Sequence, residues 1–82
     1  MYLDNQLEKN EISPSMEVNG VQLSKRQCEV LFYLVRGKTA KSIGKKLNIS
    51  QRTVEQHLEN IKIKMNVYSK AALIEKMIDY FI

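Results

Sequence analysis

The chain has 82 residues, of which 44% are hydrophobic and 27% are charged. A chain of this length supports one small hydrophobic core, and this balance of residues is typical of a folded domain and excludes an intrinsically disordered protein. No apolar run approaches the roughly 20 residues that cross a bilayer, and the first residues lack the basic and then apolar pattern of a signal peptide. We therefore predict a single folded domain that is cytoplasmic and has no membrane partner.

The basic residues are concentrated in one part of the chain. Residues 1–23 contain one of the thirteen Lys and Arg side chains and four of the nine Asp and Glu side chains. The excess of positive charge lies between Arg36 and Lys70, although the formal net charge of the whole chain is only +4 at pH 7. A basic stretch on a small domain indicates a polyanionic partner, and a solvated face that keeps a protein in solution gives the same pattern.

The residue types needed for catalysis or metal binding are scarce. The single Cys28 cannot form an internal disulfide bond, and together with the single His57 it supplies too few ligands for a zinc site. The chain has no glycine-rich phosphate loop, and His57 has no second group with which to form a catalytic dyad. We therefore predict no catalytic residue, no metal site, no cofactor and no small-molecule ligand.

The N-terminal residues differ in composition from the rest. Residues 1–20 are polar and acidic and contain the only proline, Pro14, so we predict an acidic linker or a flexible N-terminal segment there. Asn19 and Gly20 lie between two valines, which is the composition of a tight turn. Because no second strand of useful length follows, we expect this turn to lead directly into a helix, with the folded domain at residues 21–82.

Capping residues and apolar spacing predict the first helix at about residues 25–36. Ser24 and Gln27 have the spacing of a capping box, and Gly37 follows where a left-handed residue ends a helix. Apolar residues recur every three or four positions on one face, which predicts that they pack in the core: Cys28, Leu31, Leu34 and Val35.

Three further helices are predicted at about residues 40–47, 51–65 and 70–81. Each is preceded by a side chain that can cap its first turn: Thr39, Ser50 and Ser69. Asn48 and Asn66 follow the first two of these helices, and Asn adopts left-handed backbone angles more readily than other non-glycine residues. We therefore predict an all-α fold, a four-helix bundle without strands.

The second and third helices have the spacing of a helix-turn-helix motif, with about three residues between them. Two helices joined so closely cross steeply, and four apolar residues are predicted to fill the wedge between them: Ile43, Leu47, Ile49 and Val54. Gly44 lies on the second helix where a side chain would hold a neighbouring helix away. The outer face of the third helix is then exposed and fits the major groove of B-DNA, which is roughly 12 Å wide.

The outer face of the third helix carries the predicted base contacts. With Val54 at the centre of the buried face and about 100° per residue, four side chains point to the opposite side: Arg52, Glu55, Gln56 and Glu59. Hydroxyl groups near helix N-termini and lysine side chains are suited to phosphate oxygens. The predicted phosphate contacts are Thr39, Lys41, Ser50, Thr53, Lys62, Lys64 and Lys70.

Three segments of the chain share a known pattern in one register. They are Leu23-Ser24-x-Arg26-x-x-Glu29-Val30-Leu31, Gly37-x-Thr39-Ala40-Lys41-x-Ile43, and Leu47-x-Ile49-Ser50-x-x-Thr53-Val54-x-x-His57-x-x-x-Ile61-x-x-Lys64-Met65. Over about residues 21–80 and without a gap, the chain resembles the carboxyl-terminal domain of the LuxR/FixJ/NarL regulators. The resemblance implies a four-helix DNA-binding domain of a bacterial transcription factor, dimeric on DNA and usually preceded by a receiver or ligand-sensing domain. It also implies a packed or phosphate-facing role for His57.

The chain departs from this family on the face that meets DNA. Glu55 and Glu59 lie where such regulators often have lysines. The other departures are Gln27 and Ser42 in place of glutamates, Gly44 in place of alanine and Lys70 in place of arginine. Because a carboxylate can accept a hydrogen bond from cytosine N4, we form the hypothesis that Glu55 or Glu59 recognises a cytosine. The alternatives are that both are merely exposed, or that this face has lost DNA binding.

The fourth helix has more apolar surface than one small core requires. The excess favours a partner, and the resemblance implies a dimer contact. The residues predicted to divide between core and dimer interface are Ile74, Met77, Ile78 and Phe81. The expected partners are double-stranded DNA and a second copy of the chain, with RNA polymerase as a further candidate. A protein-interaction helix-turn-helix and the promoter-contacting end of a sigma factor are the alternative interpretations.

Overall fold

A short hairpin followed by four helices makes up the part of the chain that the computed structural model describes, residues 16–82. The elements are β1 (Met16–Val18), β2 (Val21–Leu23), α1 (Lys25–Leu34), α2 (Ala40–Leu47), α3 (Gln51–Met65) and α4 (Lys70–Phe81). The predicted all-α class with four helices is confirmed. The linker or flexible segment was predicted over residues 1–20. Residues 1–15 lie outside the described residues, and residues 16–20 belong to the hairpin, so the folded domain begins before residue 21. Among the described helices, none is long and apolar enough to cross a membrane.

The prediction of a chain without strands was wrong, because β1 and β2 form an antiparallel hairpin. Met16 lies opposite Leu23, and Val18 lies opposite Val21. Asn19 and Gly20 form the two-residue turn with φ angles of 52° and 80°, the left-handed values that a type I′ turn requires. Three residues per strand are few, but Val18 and Leu23 are fully buried in the core. Burial against the helices therefore stabilises a hairpin that is too short to form alone.

The predicted capping box begins α1. The backbone N–H of Gln27 donates to Ser24 Oγ at 3.1 Å, and the backbone N–H of Ser24 donates to Gln27 Oε1 at 2.9 Å. The helix ends at Leu34 and not at residue 36, because the next turn tightens. The Arg36 amide donates to the carbonyl of Tyr33 and the Gly37 amide to that of Leu34, and Gly37 has a φ of 85°. These bonds satisfy carbonyls that the end of the helix would otherwise leave unpaired.

The other three helices have the predicted bounds and the predicted caps. The hydroxyl groups of Thr39, Ser50 and Ser69 each accept a hydrogen bond from the amide three residues later. Asn48 and Asn66 end α2 and α3 in the left-handed conformation, with φ angles of 59° and 58°. Because these signals are local, they could be predicted from the sequence with little error in position.

The core lies between the hairpin and all four helices. Its fully buried side chains include Val18, Leu23, Val30, Leu31, Leu34, Ile43, Val54, Ile61, Leu73 and Met77. On α1 the prediction erred in one position, since Val30 is buried and Cys28 is only half-buried. Cys28 lines an apolar groove between α1 and the end of α4, together with Phe32 and Phe81. Partial burial raises the pKa of the Cys28 thiol, and the charge of Glu29 raises it further.

A lysine from α3 ties the end of that helix to the hairpin and to α1. Lys64 Nζ donates to the Gln22 carbonyl at 3.1 Å and to Gln27 Oε1 at 2.9 Å. Gln27 is 6% exposed, and the same Oε1 atom accepts the capping bond from Ser24. One amide oxygen therefore joins the start of α1 to the last turn of α3.

Replacing Gln27 with glutamate is expected to stabilise the fold by about 1 kcal/mol, because hydrogen bonds to a charged acceptor are stronger than those to a neutral one. The Lys64 ammonium would hold the pKa of the new carboxyl below its unfolded value. The gain would then be complete at neutral pH and lost as the pH falls through the folded-state pKa. Urea unfolding at pH 7 and pH 3 measures it. A gain that persists in the Lys64→Met background would contradict this explanation.

Candidate nucleic-acid interface

The turn between α2 and α3 has three residues, 48–50, and it packs closely against α2. The Ile49 amide donates to the Gly44 carbonyl at 2.9 Å. A Cβ atom placed on Gly44 would lie 2.7 Å from the Ile49 carbonyl oxygen, so the turn leaves no room for a side chain there. The close neighbours are the backbone of the turn and of the first residue of α3, which refines the reason expected for this glycine.

The predicted wedge residues lie where α2 and α3 meet. Ile43 and Val54 are fully buried, and Leu47 and Ile49 are partly buried against the core. α3 is therefore held in the fold through one face only. The buried face of α3 consists of Val54, Leu58, Ile61 and Met65, as predicted.

The opposite face of α3 is exposed. It carries all four residues predicted to contact bases: Arg52, Glu55, Gln56 and Glu59. With 15 residues, α3 is about 22 Å long, which is enough to lie across several base pairs. We call the exposed surface formed by these four side chains the outward face of α3.

Both glutamates on the outward face have side-chain partners within the domain. Glu59 Oε2 lies 2.7 Å from Lys62 Nζ in an ion pair. Glu55 Oε2 accepts a hydrogen bond from Gln51 Nε2 at 3.1 Å. Gln51 was not among the predicted site residues, although its separation of four residues from Glu55 on one helix was a signal for such a contact.

A groove of about 220 Å³ lies beside the two glutamates. It is lined by the first residues of α2 and α4, which are Ala40 and Lys70, and by α3 residues that include Glu55, Glu59 and Lys62. The N-termini of α2 and α4 therefore lie beside one flank of α3. Helix N-termini carry partial positive charge, so this flank combines two positive helix ends with acidic side chains.

The predicted hydroxyl contacts are all engaged as caps or with each other. Thr39 Oγ1 accepts from the Ser42 amide at 3.1 Å, and Ser50 Oγ accepts from the Thr53 amide at 3.0 Å. Ser50 Oγ also donates to Thr53 Oγ1 at 2.9 Å. A hydroxyl group that accepts a hydrogen bond without donating one can still donate its own proton. Thr39 and Thr53 can therefore donate to a phosphate, whereas the Ser50 hydroxyl already donates to Thr53.

The predicted lysine contacts fall into three groups. Lys41 and Lys70 are exposed at the first turns of α2 and α4. Lys62 is held by Glu59, and its side chain is only 22% exposed. The Lys64 ammonium is directed to the hairpin and to Gln27. Lys41 and Lys70 are therefore the lysines best placed for phosphate, while His57 lies half-buried at the edge of the outward face.

The fourth helix divides between core and surface. Met77 and Leu73 are fully buried, so Met77 belongs to the core. Ile74 and Phe81 are partly buried against that core. Ile78 is exposed, as are Tyr80 and Ile82 at the end of the helix. Of the four residues predicted for the dimer interface, Ile74, Ile78 and Phe81 have surface to offer a partner.

α2, the turn and α3 form a helix-turn-helix in which one face of α3 is exposed along its length, the arrangement typical of the DNA-binding class. Within residues 16–82, no group of three or more His, Cys, Asp or Glu residues is arranged to hold a metal ion. Residues 21–77 match a family described as bacterial regulatory proteins, luxR family. The chain belongs to this family, which consists of DNA-binding transcription regulators and is not a family of enzymes.

Several relatives of the chain are named as response regulators or other regulatory proteins. Oxygen regulatory protein NreC of Staphylococcus epidermidis is 39% identical over 71 residues, covering 87% of this chain and 32% of that protein. Transcriptional regulatory protein DegU of Brevibacillus brevis is 39% identical over 56 residues, covering 68% of this chain and 24% of that protein. Nitrate/nitrite response regulator protein NarP of Escherichia coli is 42% identical over 50 residues, covering 61% and 23%. The chain thus spans a third or less of the length of these relatives, and no solved structure matches it significantly.

Proposed function

We propose that this chain is the DNA-binding domain of a sequence-specific transcription regulator and that α3 is its recognition helix. The observation that carries the proposal is the geometry of α3, which is anchored through one buried face and exposes the opposite one. A helix held in this way enters the major groove, while the helix before it lies against the DNA backbone. The outward face, Arg52, Glu55, Gln56 and Glu59, then meets base edges.

In this proposal the phosphates are contacted by lysines that form no ion pair within residues 16–82 and by hydroxyl groups that donate no hydrogen bond there. Lys41 at the start of α2 and Lys70 at the start of α4 reach the DNA backbone from the flank of α3 where these two helices begin. Thr39 and Thr53 donate their hydroxyl protons to phosphate oxygens near the N-termini of α2 and α3. Lys62 contributes less because Glu59 balances its charge.

Fluorescence anisotropy with a labelled DNA duplex at several salt concentrations tests the function. Each phosphate that the protein neutralises lowers the logarithm of the affinity by about 0.9 per tenfold increase in salt. We expect tighter binding at low salt and a slope that corresponds to a few phosphates. A protein that binds no duplex at low salt would instead favour the protein-interaction helix-turn-helix.

Replacing Lys41 with alanine is expected to weaken binding to every DNA sequence by a similar factor and to reduce the salt slope by about 0.9. The reason is that Lys41 offers a charge to the backbone and no contact to a base. Lys25→Ala is the matched control, since Lys25 is an exposed lysine in the first turn of α1, at the groove between α1 and α4. Equal slopes for the two variants would exclude a phosphate contact by Lys41.

The second part of the proposal is a dimer formed on DNA through α4. Ile78 is exposed on this helix, and the partly buried Ile74 and Phe81 lie beside it, so a second copy can cover apolar surface there. Analytical ultracentrifugation, with the domain free and with a duplex carrying two half sites, gives the stoichiometry. Two copies per duplex are expected, and the Ile78→Glu variant should bind as single copies. A monomer in both states of the unaltered domain would exclude the dimer.

A further inference from the structure

The two glutamates on the outward face of α3 differ in how their charges are balanced. Glu59 pairs with the Lys62 ammonium at 2.7 Å, so the two side chains together carry no net charge. Glu55 has only the neutral amide of Gln51 as a side-chain partner, and it forms no ion pair with any residue between 16 and 82. Within residues 16–82 the negative charge of Glu55 is therefore not balanced by an ion pair, while that of Glu59 is balanced by the Lys62 ammonium.

The two residues also differ in their place along the helix. Glu55 is the fifth residue of α3, and Glu59 lies one turn farther from its N-terminus. In helix-turn-helix proteins the N-terminal part of the recognition helix contacts base edges. Glu55 thus lies closer than Glu59 to the bases when α3 occupies the groove.

The contact with Gln51 prepares Glu55 for a base contact. The Gln51 amide occupies one lone pair of Glu55 Oε2 and leaves Oε1 with both of its own. A carboxylate held in one conformation loses less side-chain entropy when it binds. In the major groove, the amino groups on base edges are the donors that such an oxygen accepts from, and cytosine N4 is the partner typical of glutamate.

We propose that Glu55, positioned by Gln51, determines base specificity by accepting a hydrogen bond from cytosine N4, whereas Glu59 and Lys62 form a neutral pair that selects no base. The proposal rests on the proposed function, because it requires α3 to lie in the major groove. The pair limits the repulsion between the outward face and the phosphates to that of one carboxylate. The carboxylate whose charge no ion pair within residues 16–82 balances is the one that contacts a base.

Selection of duplexes from a random DNA pool tests the proposal with the unaltered domain and with Glu55→Gln and Glu59→Gln. Both variants remove one negative charge from an exposed side chain of α3 without changing its shape, so each is the matched control of the other. We expect the unaltered domain to select a cytosine at one fixed position of each half site. Glu55→Gln should lose this preference in favour of adenine, which glutamine recognises, and should bind the original site roughly 5- to 150-fold more weakly.

Glu59→Gln should keep the cytosine and change the affinity for selected and random duplexes by the same factor. Retention of the cytosine by Glu55→Gln, or its loss from Glu59→Gln, would overturn the proposal. Failure of the unaltered domain to bind any duplex at low salt would overturn the proposed function as well. Selection of a defined site without a cytosine that depends on Glu55 would overturn this inference alone.

Discussion

Replacing Ile61 with alanine is expected to lower the free energy of unfolding by about 2–5 kcal/mol, the range found for large-to-small changes in closely packed cores. Ile61 lies on the buried face of α3 and is fully buried in the core. The whole domain has roughly 3–10 kcal/mol of stability to lose if it follows the usual value per residue. The variant should therefore be partly unfolded near its working temperature, and urea unfolding followed by circular dichroism measures the change.

The chain supplies a matched control two residues away. Ile63 is on the same helix and is 76% exposed, so Ile63→Ala removes the same atoms without leaving a cavity. Its effect on stability should lie within about 0.5 kcal/mol. Equal losses for the two variants would contradict the arrangement of α3, because they would mean that the two faces of this helix are buried alike.

Replacing Gly44 with valine is expected to destabilise the domain by about 1–3 kcal/mol, the cost of forcing extra atoms into a packed region. Even a Cβ atom at this position would lie 2.7 Å from the Ile49 carbonyl oxygen and 3.3 Å from the backbone nitrogen of Gln51. Both atoms belong to the backbone where α3 begins, so the turn must move to make room. DNA binding should weaken further than stability alone explains, because the displaced turn changes the direction of α3.

Lys45→Val is the control for this variant. Lys45 is the next residue of α2 and is exposed, so valine there meets no backbone. Helix propensity falls on replacing lysine with valine and rises on replacing glycine with valine, so a larger loss of stability at position 44 cannot come from propensity. Thermal unfolding gives the stability of each variant. Duplex binding, measured below the melting temperature of each variant, gives the DNA affinity of the folded domain. If Gly44→Val kept the stability and the DNA affinity of Lys45→Val, the close approach of the turn to α2 would be disproved.

The helices could be predicted well because their signals are local. The caps Thr39, Ser50 and Ser69 and the left-handed Asn48 and Asn66 act within a few residues of their own positions. The hairpin was missed for the opposite reason. Its strands are stabilised by burial of Val18 and Leu23 against helices that follow later in the chain. The β-propensity of three residues does not include the free energy of that burial, so it could not predict the strands.

The candidate site was predicted less completely than the fold. Periodicity identified the outward face of α3 correctly as an exposed surface. It did not show that the Lys64 ammonium is bound to Gln22 and Gln27, which are 42 and 37 residues away along the chain. It also gave no means of distinguishing Glu55 from Glu59, because their partners depend on which rotamers long side chains adopt. The contacts of Lys64 join distant parts of the chain and follow only from the packed structure. Gln51 and Lys62 lie at helical spacing from their glutamates, so spacing offers them as partners but does not show which contacts form.

The central claim is that α3 and the helix ends beside it meet the DNA. The most direct measurement is a titration of the ¹⁵N-labelled domain with a duplex, following each backbone amide by NMR. We expect the largest shifts at residues 39–41, at residues 50–59 and at Lys70, with little change at the groove between α1 and the end of α4. Shifts confined to that groove, or none at low salt, would contradict the assignment of α3 as the recognition helix.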